Sequence, residues 1–414
     1  MSFFFNLNLR WYSAISFASQ FLRVPMLISL VVHLESLSLY FLVTLASIPF
    51  QFFALEILQY RSKGKTFKAS EQVIILIIFL VTIVHVGHSQ GYINLLWYLG
   101  FGISLLVHGA AIGHVRNAKG ARGVLYFECI SSVMATCGVI AAATLVPELS
   151  MSQAIISVLA ASNLLFGIVI LRSTKAAPII SETDSSVQAG IAPLTAILAT
   201  TQLERLVVSI GSPEFLTVIS LAGGLVQGWR KVAMDDAIVF ESIRTSSVSS
   251  FAKVIDSEVR RGCIVFLLPA CLALLSYFLS PYMFAWTVKH GILKSLSLEM
   301  YRSVPLLLCV YLTSLPTGII MINLLRSGRV RVPRIAWAYL VSVIIIEFFL
   351  LSPQTIFSRG LGIVWTVIGL TASINVLFFF SFKKQIACLE SRYIIVASFA
   401  YLSAILLVIC QKIY

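Results

Sequence analysis

The sequence predicts an all-α polytopic membrane protein with about 12–13 transmembrane helices, arranged in two six-helix lobes around a central cavity. Three observations support this fold class: 59% of the 414 residues are hydrophobic, only 11% are charged, and long apolar stretches recur throughout the chain. Soluble domains have roughly 45–50% apolar and about 25% charged residues. A bilayer core of about 30 Å needs roughly 20 apolar residues per helix, which these stretches provide. No polar interval is long enough for a separate soluble domain.

Thirteen apolar stretches define the predicted helices. They run Trp11–Val32, Leu37–Leu58, Val73–Val86, Ile93–Ile112, Val124–Leu145, Met151–Leu171, Ile191–Ile210, Phe215–Trp229, Cys263–Phe284, Val304–Leu325, Ile335–Leu351, Leu361–Phe382 and Tyr393–Cys410. Between the eighth and ninth stretches, Met234 to Val259 interleaves apolar with acidic residues. This pattern is typical of a surface helix or a helical extension at the membrane interface, and an ordinary connector is the alternative.

The distribution of basic residues predicts the orientation. With the N-terminus in the cytoplasm, 23 of the 30 Lys and Arg residues fall on the inner side, five on the outer side and two inside predicted helices. Cytoplasmic loops of membrane proteins carry such an excess of Lys and Arg. The net charge of +13 therefore indicates topology and contact with anionic membrane lipids, and it does not indicate nucleic-acid binding.

The most polar inner linker divides the chain into two halves. Residues 173–190 are rich in Ser and Thr and separate the sixth predicted helix from the seventh. The predicted domains are therefore an N-terminal six-helix lobe at 1–172, a cytoplasmic linker at 173–190, a C-terminal six-helix lobe at 191–382 and an additional transmembrane helix at 383–414.

The two halves share short sequence patterns. SQFLR (Ser19 to Arg23) in the first helix matches TQLER (Thr201 to Arg205) in the seventh, and TLASIPFQ (Thr44 to Gln51) in the second matches SLAGGLVQ (Ser220 to Gln227) in the eighth. Two matches in the same order predict an internal repeat. Both halves begin on the inner side, so the repeat would be parallel, as in some secondary transporters.

Arg23 and Arg205 are the two basic residues inside predicted helices, and both are candidate substrate ligands. A charge at membrane depth costs roughly 2.5–3.5 kcal/mol on insertion scales and is a functional hypothesis by default. A guanidinium group matches phosphate and carboxylate geometry. The alternative is structural: Arg23 could pair with a carboxylate that joins two helices, and Arg205, beside Glu204, could serve as a scaffold.

Four glutamines and two glutamates complete the candidate site. Gln20, Gln202, Gln51 and Gln227 are candidate hydrogen-bond donors to a sugar or pyrophosphate, and Glu204 and Glu347 are candidate ion-coupling sites. Glutamines between membrane helices can instead hold the helices together, and Glu347 could simply line water.

The sequence contains no signature of an enzyme or a metal site. It has no HExxH, GxSxG, P-loop or dinucleotide-binding motif, and its seven cysteines have no metal-ligand spacing. We therefore predict a transporter with no catalytic residues, no metal and no cofactor.

Three features of the chain resemble a known family. They are the six-plus-six arrangement, Arg23 in the first helix and the segment TQLERLVVSIGSPEFLTVISLAGGLVQ. Together they are similar to the multidrug/oligosaccharidyl-lipid/polysaccharide exporter superfamily. Within it, they look most like the Wzx-type polysaccharide flippases. The segment is similar to the charged seventh helix, short outer turn and small-residue-rich eighth helix of that family. The family usually has twelve or fourteen helices, and an odd thirteenth departs from this pattern.

The resemblance implies a flippase that moves undecaprenyl-diphosphate-linked oligosaccharide, an O-antigen or exopolysaccharide repeat unit, across the bacterial inner membrane by alternating access. Arg23 and Arg205 would then hold the diphosphate or acidic sugars. The partners would be the lipid-linked oligosaccharide, membrane lipids, a polysaccharide polymerase and a chain-length regulator. The alternatives are a membrane-embedded polysaccharide polymerase or ligase, and a drug or metabolite antiporter of the same fold.

Overall fold

The computed structural model describes residues 2–47, 50–51, 54, 84, 91–173, 213–234, 238–239, 242–243, 246, 248–292 and 295–327. Within these ranges every regular element is a helix. The chain divides into two compact units, unit 1 at Met1–Thr217 and unit 2 at Val218–Tyr414. The predicted linker lies outside the described residues from position 174 onward, so the predicted domain boundaries stay a prediction.

Seven α-helices and one short 3₁₀ helix have defined bounds. They are α1 Ser2–Leu30, the 3₁₀ helix Leu34–Leu37, α2 Ser38–Ala46, α3 Tyr92–Leu145, α4 Glu148–Ser173, α5 Pro213–Ala233, α6 Val248–Lys289 and α7 Leu298–Ser327. Helix α3 consists of two arms that meet near Gly120, whose φ of 61° is readily adopted only by glycine.

Five of the described helical segments are long and apolar enough to cross a membrane. They are Trp11–Leu30, Tyr92–Arg116, Ala118–Leu145, Glu148–Ser173 and Leu268–Lys289. All five coincide with predicted stretches, although the last begins and ends five residues later than predicted. The described part of the chain is therefore that of an all-α membrane protein, as predicted. The predicted count and the predicted two lobes extend over residues that the structure does not describe.

In unit 1, α1 runs parallel to the second arm of α3. The rings of Tyr12 and Tyr126 meet edge-to-face at one end, with centroids 5.6 Å apart. Further along both helices, the Ser19 and Ser132 hydroxyl oxygens lie 2.7 Å apart. Parallel packing requires the two helices to start on the same side of the membrane, which agrees with the first and fifth predicted helices.

At the other end of α1, Glu148 joins the turn after α1 to the start of α4. Its Oε1 accepts hydrogen bonds from the His33 backbone N–H at 2.8 Å and from the Ser36 hydroxyl at 3.2 Å. The hydroxyl of Ser152 also donates to the Ser36 carbonyl oxygen. Glu148 lies in the first turn of α4, where the helix dipole favours a negative charge.

Glycines allow the helices of unit 1 to pack closely. A Cβ atom at Gly167 of α4 would lie 2.7 Å from a Val107 methyl group, and one at Gly138 of α3 would lie 2.5 Å from a Val158 methyl group. A Cβ at Gly109 would overlap the Gln51 carbonyl oxygen. Small residues at contacts are typical of membrane helices, because association in lipid depends on close van der Waals packing.

In unit 2, two hydrogen bonds connect the C-terminal end of α5 to the first half of α6. The Trp229 indole N–H donates to the Val265 carbonyl oxygen at 3.4 Å, and the Arg261 guanidinium donates to the Ala233 carbonyl oxygen at 3.0 Å. A cation is favourable there because the last carbonyl groups of α5 have no partner within the helix.

Residues 248–259, the last part of the region for which a surface helix or a helical extension is predicted, belong to α6. Helix α6 begins at Val248 and continues without a break to Lys289. Near the C-terminal end of α6, Phe284 packs against Tyr301 of α7 with ring centroids 5.6 Å apart.

Glu258 has a raised pKa in this extension, about ten residues before the candidate span. Burial raises the pKa of its carboxyl group above the ordinary value of 4.5, and attraction to Arg261, 3.8 Å away, offsets only part of this effect. Its side chain is 13% exposed, and its Oε2 has no hydrogen-bond partner among the residues that the structure describes. The folded state therefore binds this proton more tightly than the unfolded chain does.

Replacing Glu258 by glutamine is expected to raise the melting temperature at pH 7 by a few degrees. The raised pKa means that ionisation destabilises the folded state as pH increases from about 4.5 through the folded-state pKa. The difference between E258Q and wild type should therefore disappear near pH 4. Thermal unfolding of the full chain at both pH values tests this, with Glu299→Gln as the control because Glu299 is exposed on α7. A lower melting temperature for E258Q at pH 7 would contradict it.

Candidate functional site

Arg23 lies inside the candidate span Trp11–Leu30, 12 residues after its start and seven before its end. At 1.5 Å per residue, these separations correspond to about 18 Å and about 10 Å. The side chain is half-buried. Its Nε is buried and has no hydrogen-bond partner in the part of the chain that the structure describes. A buried guanidinium donor without an acceptor is costly, which makes Arg23 a candidate for a functional role.

Hydroxyl groups on α1 and α3 form a seam directly next to Arg23, which we call the hydroxyl seam. It consists of Ser16, Ser19, Ser132 and Thr136. Besides the contact between Ser19 and Ser132, the Thr136 hydroxyl donates to the Ser19 carbonyl oxygen at 3.1 Å, and the Ser132 hydroxyl donates to the Ser16 carbonyl oxygen at 3.4 Å. Interhelical hydrogen bonds in membranes contribute about 0.6 kcal/mol each on average.

The contacts of α1 with α3 show which face of α1 carries Arg23. Tyr12, Ser16, Ser19 and Arg23 follow one another at intervals of three or four residues, which places them on one face of a helix. The first three contact α3. Arg23 therefore continues the face of α1 that packs against α3, one turn beyond Ser19. The neighbouring Leu22 is exposed on another face.

Gln20 is the candidate glutamine that shares helix α1 with Arg23. It lies three residues before Arg23 in α1 and is half-buried. Residues three apart lie near each other on a helix surface, so both side chains can reach one polar group.

Gln51 lies elsewhere in unit 1. Its backbone carbonyl packs against Gly109 in the first arm of α3. His108 of the first arm packs against Phe127 of the second arm, so the neighbouring Gly109 lies at about the level of residue 126 along the helix axis. Gln51, which contacts Gly109, therefore lies near that level too. In the hydroxyl seam, Ser19 is hydrogen-bonded to Ser132 and Thr136 of α3, so Arg23, four residues after Ser19, lies near the level of residue 138. The two positions are thus about 18 Å apart along the helix axis, and only an extended substrate could contact both.

The remaining candidates are in other regions or are not described. Gln227 is exposed on α5, and its Oε1 accepts a hydrogen bond of 2.9 Å from Arg230 one turn later. Arg205, Gln202, Glu204 and Glu347 lie outside the described residues. Their proposed roles stay predictions.

His108 is a buried residue inside the candidate span Tyr92–Arg116. It is 6% exposed, and its ring lies 5.1 Å from that of Phe127. One turn away, the Ser104 hydroxyl accepts a hydrogen bond of 3.5 Å from the Asn163 amide. These contacts join the two arms of α3 and α4 around aromatic and polar side chains, which indicates a packing role for His108.

The sequence interpretation did not identify the hydroxyl seam or Glu148. The available signal for the seam was spacing: Ser16 and Ser19 are three apart, and Ser132 and Thr136 are four apart, so each pair shares one helix face. For Glu148, the signal was an acidic residue directly after Pro147 at a predicted helix start.

The chemistry that this arrangement supports is binding of an anion. Arg23 supplies a permanent positive charge and forked donors, and Gln20 supplies an amide group. The described residues contain no group of His, Cys, Asp and Glu that could hold a metal ion.

The described helices and Arg23 together define a helical membrane protein with a cationic residue inside one of its spans. Compared with protein-family models, curated proteins and solved structures, the chain has no match.

Proposed function

We propose that this protein is a flippase that moves an undecaprenyl-diphosphate-linked oligosaccharide from the inner to the outer leaflet of a bacterial inner membrane. The observation that supports the proposal most is Arg23, a half-buried arginine inside a span whose Nε has no described hydrogen-bond partner. The diphosphate is the one part of such a substrate that always carries negative charge, and a guanidinium group binds it in a forked geometry.

In this proposal the lipid tail stays in the bilayer while the headgroup crosses between two six-helix lobes. Arg23 binds the diphosphate from α1, and Arg205 supplies a second cation from the other half of the repeat. Gln20 and Gln202 hydrogen-bond the phosphate or the first sugar, while Gln51 and Gln227 contact more distant sugars. The separation of about 18 Å between Gln51 and Arg23 suits a substrate with several sugars.

Transport against a gradient requires a source of energy, and Glu204 and Glu347 are the proposed ion-coupling sites. An acidic residue within a predicted helix can gain or lose a proton as the cavity opens to either side. A polysaccharide polymerase or ligase would need catalytic residues on a large outer loop, and an antiporter for cationic drugs would not favour Arg23 in its cavity.

Deleting the gene tests this function directly. The flippase proposal expects undecaprenyl-diphosphate oligosaccharide to accumulate in the inner leaflet, where an externally added glycosidase or lectin cannot reach it. It also expects restored surface glycan when the wild-type gene is returned. Single repeat units exposed on the outer leaflet would show that translocation is intact and would favour a polymerase. An unchanged pool of lipid-linked oligosaccharide would contradict both activities.

A further inference from the structure

We propose that Arg116, Lys119, Arg122 and Arg172 form a binding site for the headgroup of an anionic phospholipid, at the end of unit 1 where the two arms of α3 meet. We call these four residues the basic cluster. This inference does not depend on the flippase proposal, because it concerns the surrounding membrane and not the transported substrate.

Contacts between the helices bring the four residues to the same level along the helix axes. Asn163 and Gly167 of α4 meet Ser104 and Val107 of the first arm, which are 59 and 60 residues earlier in the chain. Continuing this parallel alignment places Arg172 beside residues 112–113, about one helical turn from Arg116.

The second arm of α3 gives the same level independently. Gly138 meets Val158 of α4, and the rings of Phe127 and Phe166 lie 6.4 Å apart. In this antiparallel alignment Arg172 lies beside residues 121–124, next to Arg122. Lys119 is in the turn between the arms, so three packed helix ends contribute to one basic cluster.

The basic cluster is accessible, and its local charge is strongly positive. Lys119, Arg122 and Arg172 are exposed, and Arg116 is half-buried. The acidic residues within α3 and α4 are Glu128 and Glu148. Glu128 is six residues beyond Arg122 toward the interior of the span, and Glu148 is at the opposite end of unit 1, where it binds the turn after α1. Within α3 and α4, this end of unit 1 therefore carries four basic residues, with Glu128 as the nearest acidic residue in these two helices.

Aromatic side chains at the same level mark a membrane interface. Tyr126, one turn from Arg122, is 54% exposed, and its ring contacts Tyr12. Trp11, adjacent to Tyr12, is 64% exposed. Exposed Trp and Tyr residues concentrate at the level of lipid headgroups.

The surroundings favour a lipid over a soluble anion. Val169 and Leu171 are exposed apolar residues in the last turns of α4, directly before Arg172. A phospholipid satisfies both surfaces at once, since its phosphate meets the basic residues while its acyl chains cover the apolar ones. Basic clusters at the ends of packed membrane helices bind anionic headgroups in this way.

The test compares the full chain in nanodiscs of phosphatidylcholine alone with nanodiscs that also contain phosphatidylglycerol. The variant K119Q/R122Q/R172Q removes three exposed charges of the basic cluster. The control K253Q/R260Q/K289Q removes three exposed charges from α6. Melting temperature measures stabilisation by the lipid, and native mass spectrometry measures the phosphatidylglycerol that stays bound.

Phosphatidylglycerol is expected to raise the melting temperature of wild type and of the control but not of the cluster variant. Each basic residue near an anionic surface contributes roughly a five-fold preference, so the cluster variant should bind phosphatidylglycerol on the order of 100-fold more weakly. Equal losses in cluster variant and control would overturn the proposal. So would an equal stabilisation of wild type by inorganic phosphate in phosphatidylcholine nanodiscs.

Single substitutions keep the proposal testable if the triple variant does not fold. Lys119→Gln and Arg172→Gln each remove one exposed side chain, and each is expected to weaken phosphatidylglycerol binding about five-fold. Unchanged binding in both single variants would overturn the proposal.

Discussion

Replacing Arg23 by leucine is expected to abolish surface glycan while leaving the protein as stable as wild type, or more stable. The side chain makes no described hydrogen bond or ion pair, and its Nε is buried. Its removal therefore loses no stabilising contact and eliminates a desolvation cost of roughly 2.5–3.5 kcal/mol. A residue that reduces stability but is needed for activity is typical of a binding site. Surface glycan staining in cells and thermal unfolding of the purified protein measure the two effects.

Two further variants separate charge from geometry and from general perturbation of α1. Arg23→Lys keeps the charge but loses the forked donors, so it is expected to retain only part of the transport activity. Leu22→Ala removes an exposed apolar side chain from the same helical turn and is expected to leave surface glycan unchanged. Normal surface glycan in well-expressed R23L cells would contradict the binding role. A large loss of stability in R23L would instead assign Arg23 to joining helices.

The helices could be predicted from the sequence because backbone groups in lipid must be hydrogen-bonded within the chain. An apolar stretch such as Ile93–Ile112 therefore had to be helical, and the structure has Tyr92–Arg116. The ends were less predictable. The ninth apolar stretch is Cys263–Phe284, whereas the candidate span is Leu268–Lys289 and the helix that contains it begins at Val248. Charged residues end the apolar part of a helix without ending its hydrogen bonds.

The candidate site could be predicted only where a residue contrasts with its sequence neighbours. Arg23 is conspicuous as a charge within an apolar stretch. Ser19 and Thr136 are not, because serine and threonine are common in membrane helices and their pairing across α1 and α3 depends on helix packing. The position of Gln51 likewise depends on its contact with Gly109, which no local pattern indicates.

Replacing Gly109 by alanine is expected to destabilise unit 1 by about 1–3 kcal/mol. The added Cβ would overlap the carbonyl oxygen of Gln51, with its carbonyl carbon 3.0 Å and its Cα 3.1 Å away. These atoms belong to a helical backbone, so they cannot move aside as the end of a flexible side chain can. Relief requires the segment carrying Gln51 to shift away from α3. Thermal unfolding of the purified full chain measures the effect.

Gly100→Ala provides the matched control, because Gly100 lies in the same arm of α3 and a Cβ there would meet no atom within 4 Å. The same chemical change should be neutral or stabilising at that position, since alanine favours a helix by roughly 0.5–1 kcal/mol over glycine. Equal melting temperatures for the two variants would show that the approach of Gln51 to Gly109 does not limit packing. If G109A alone is destabilised, its surface glycan in cells also shows whether the position of Gln51 affects transport, because Arg23 is about 18 Å away along the helix axis.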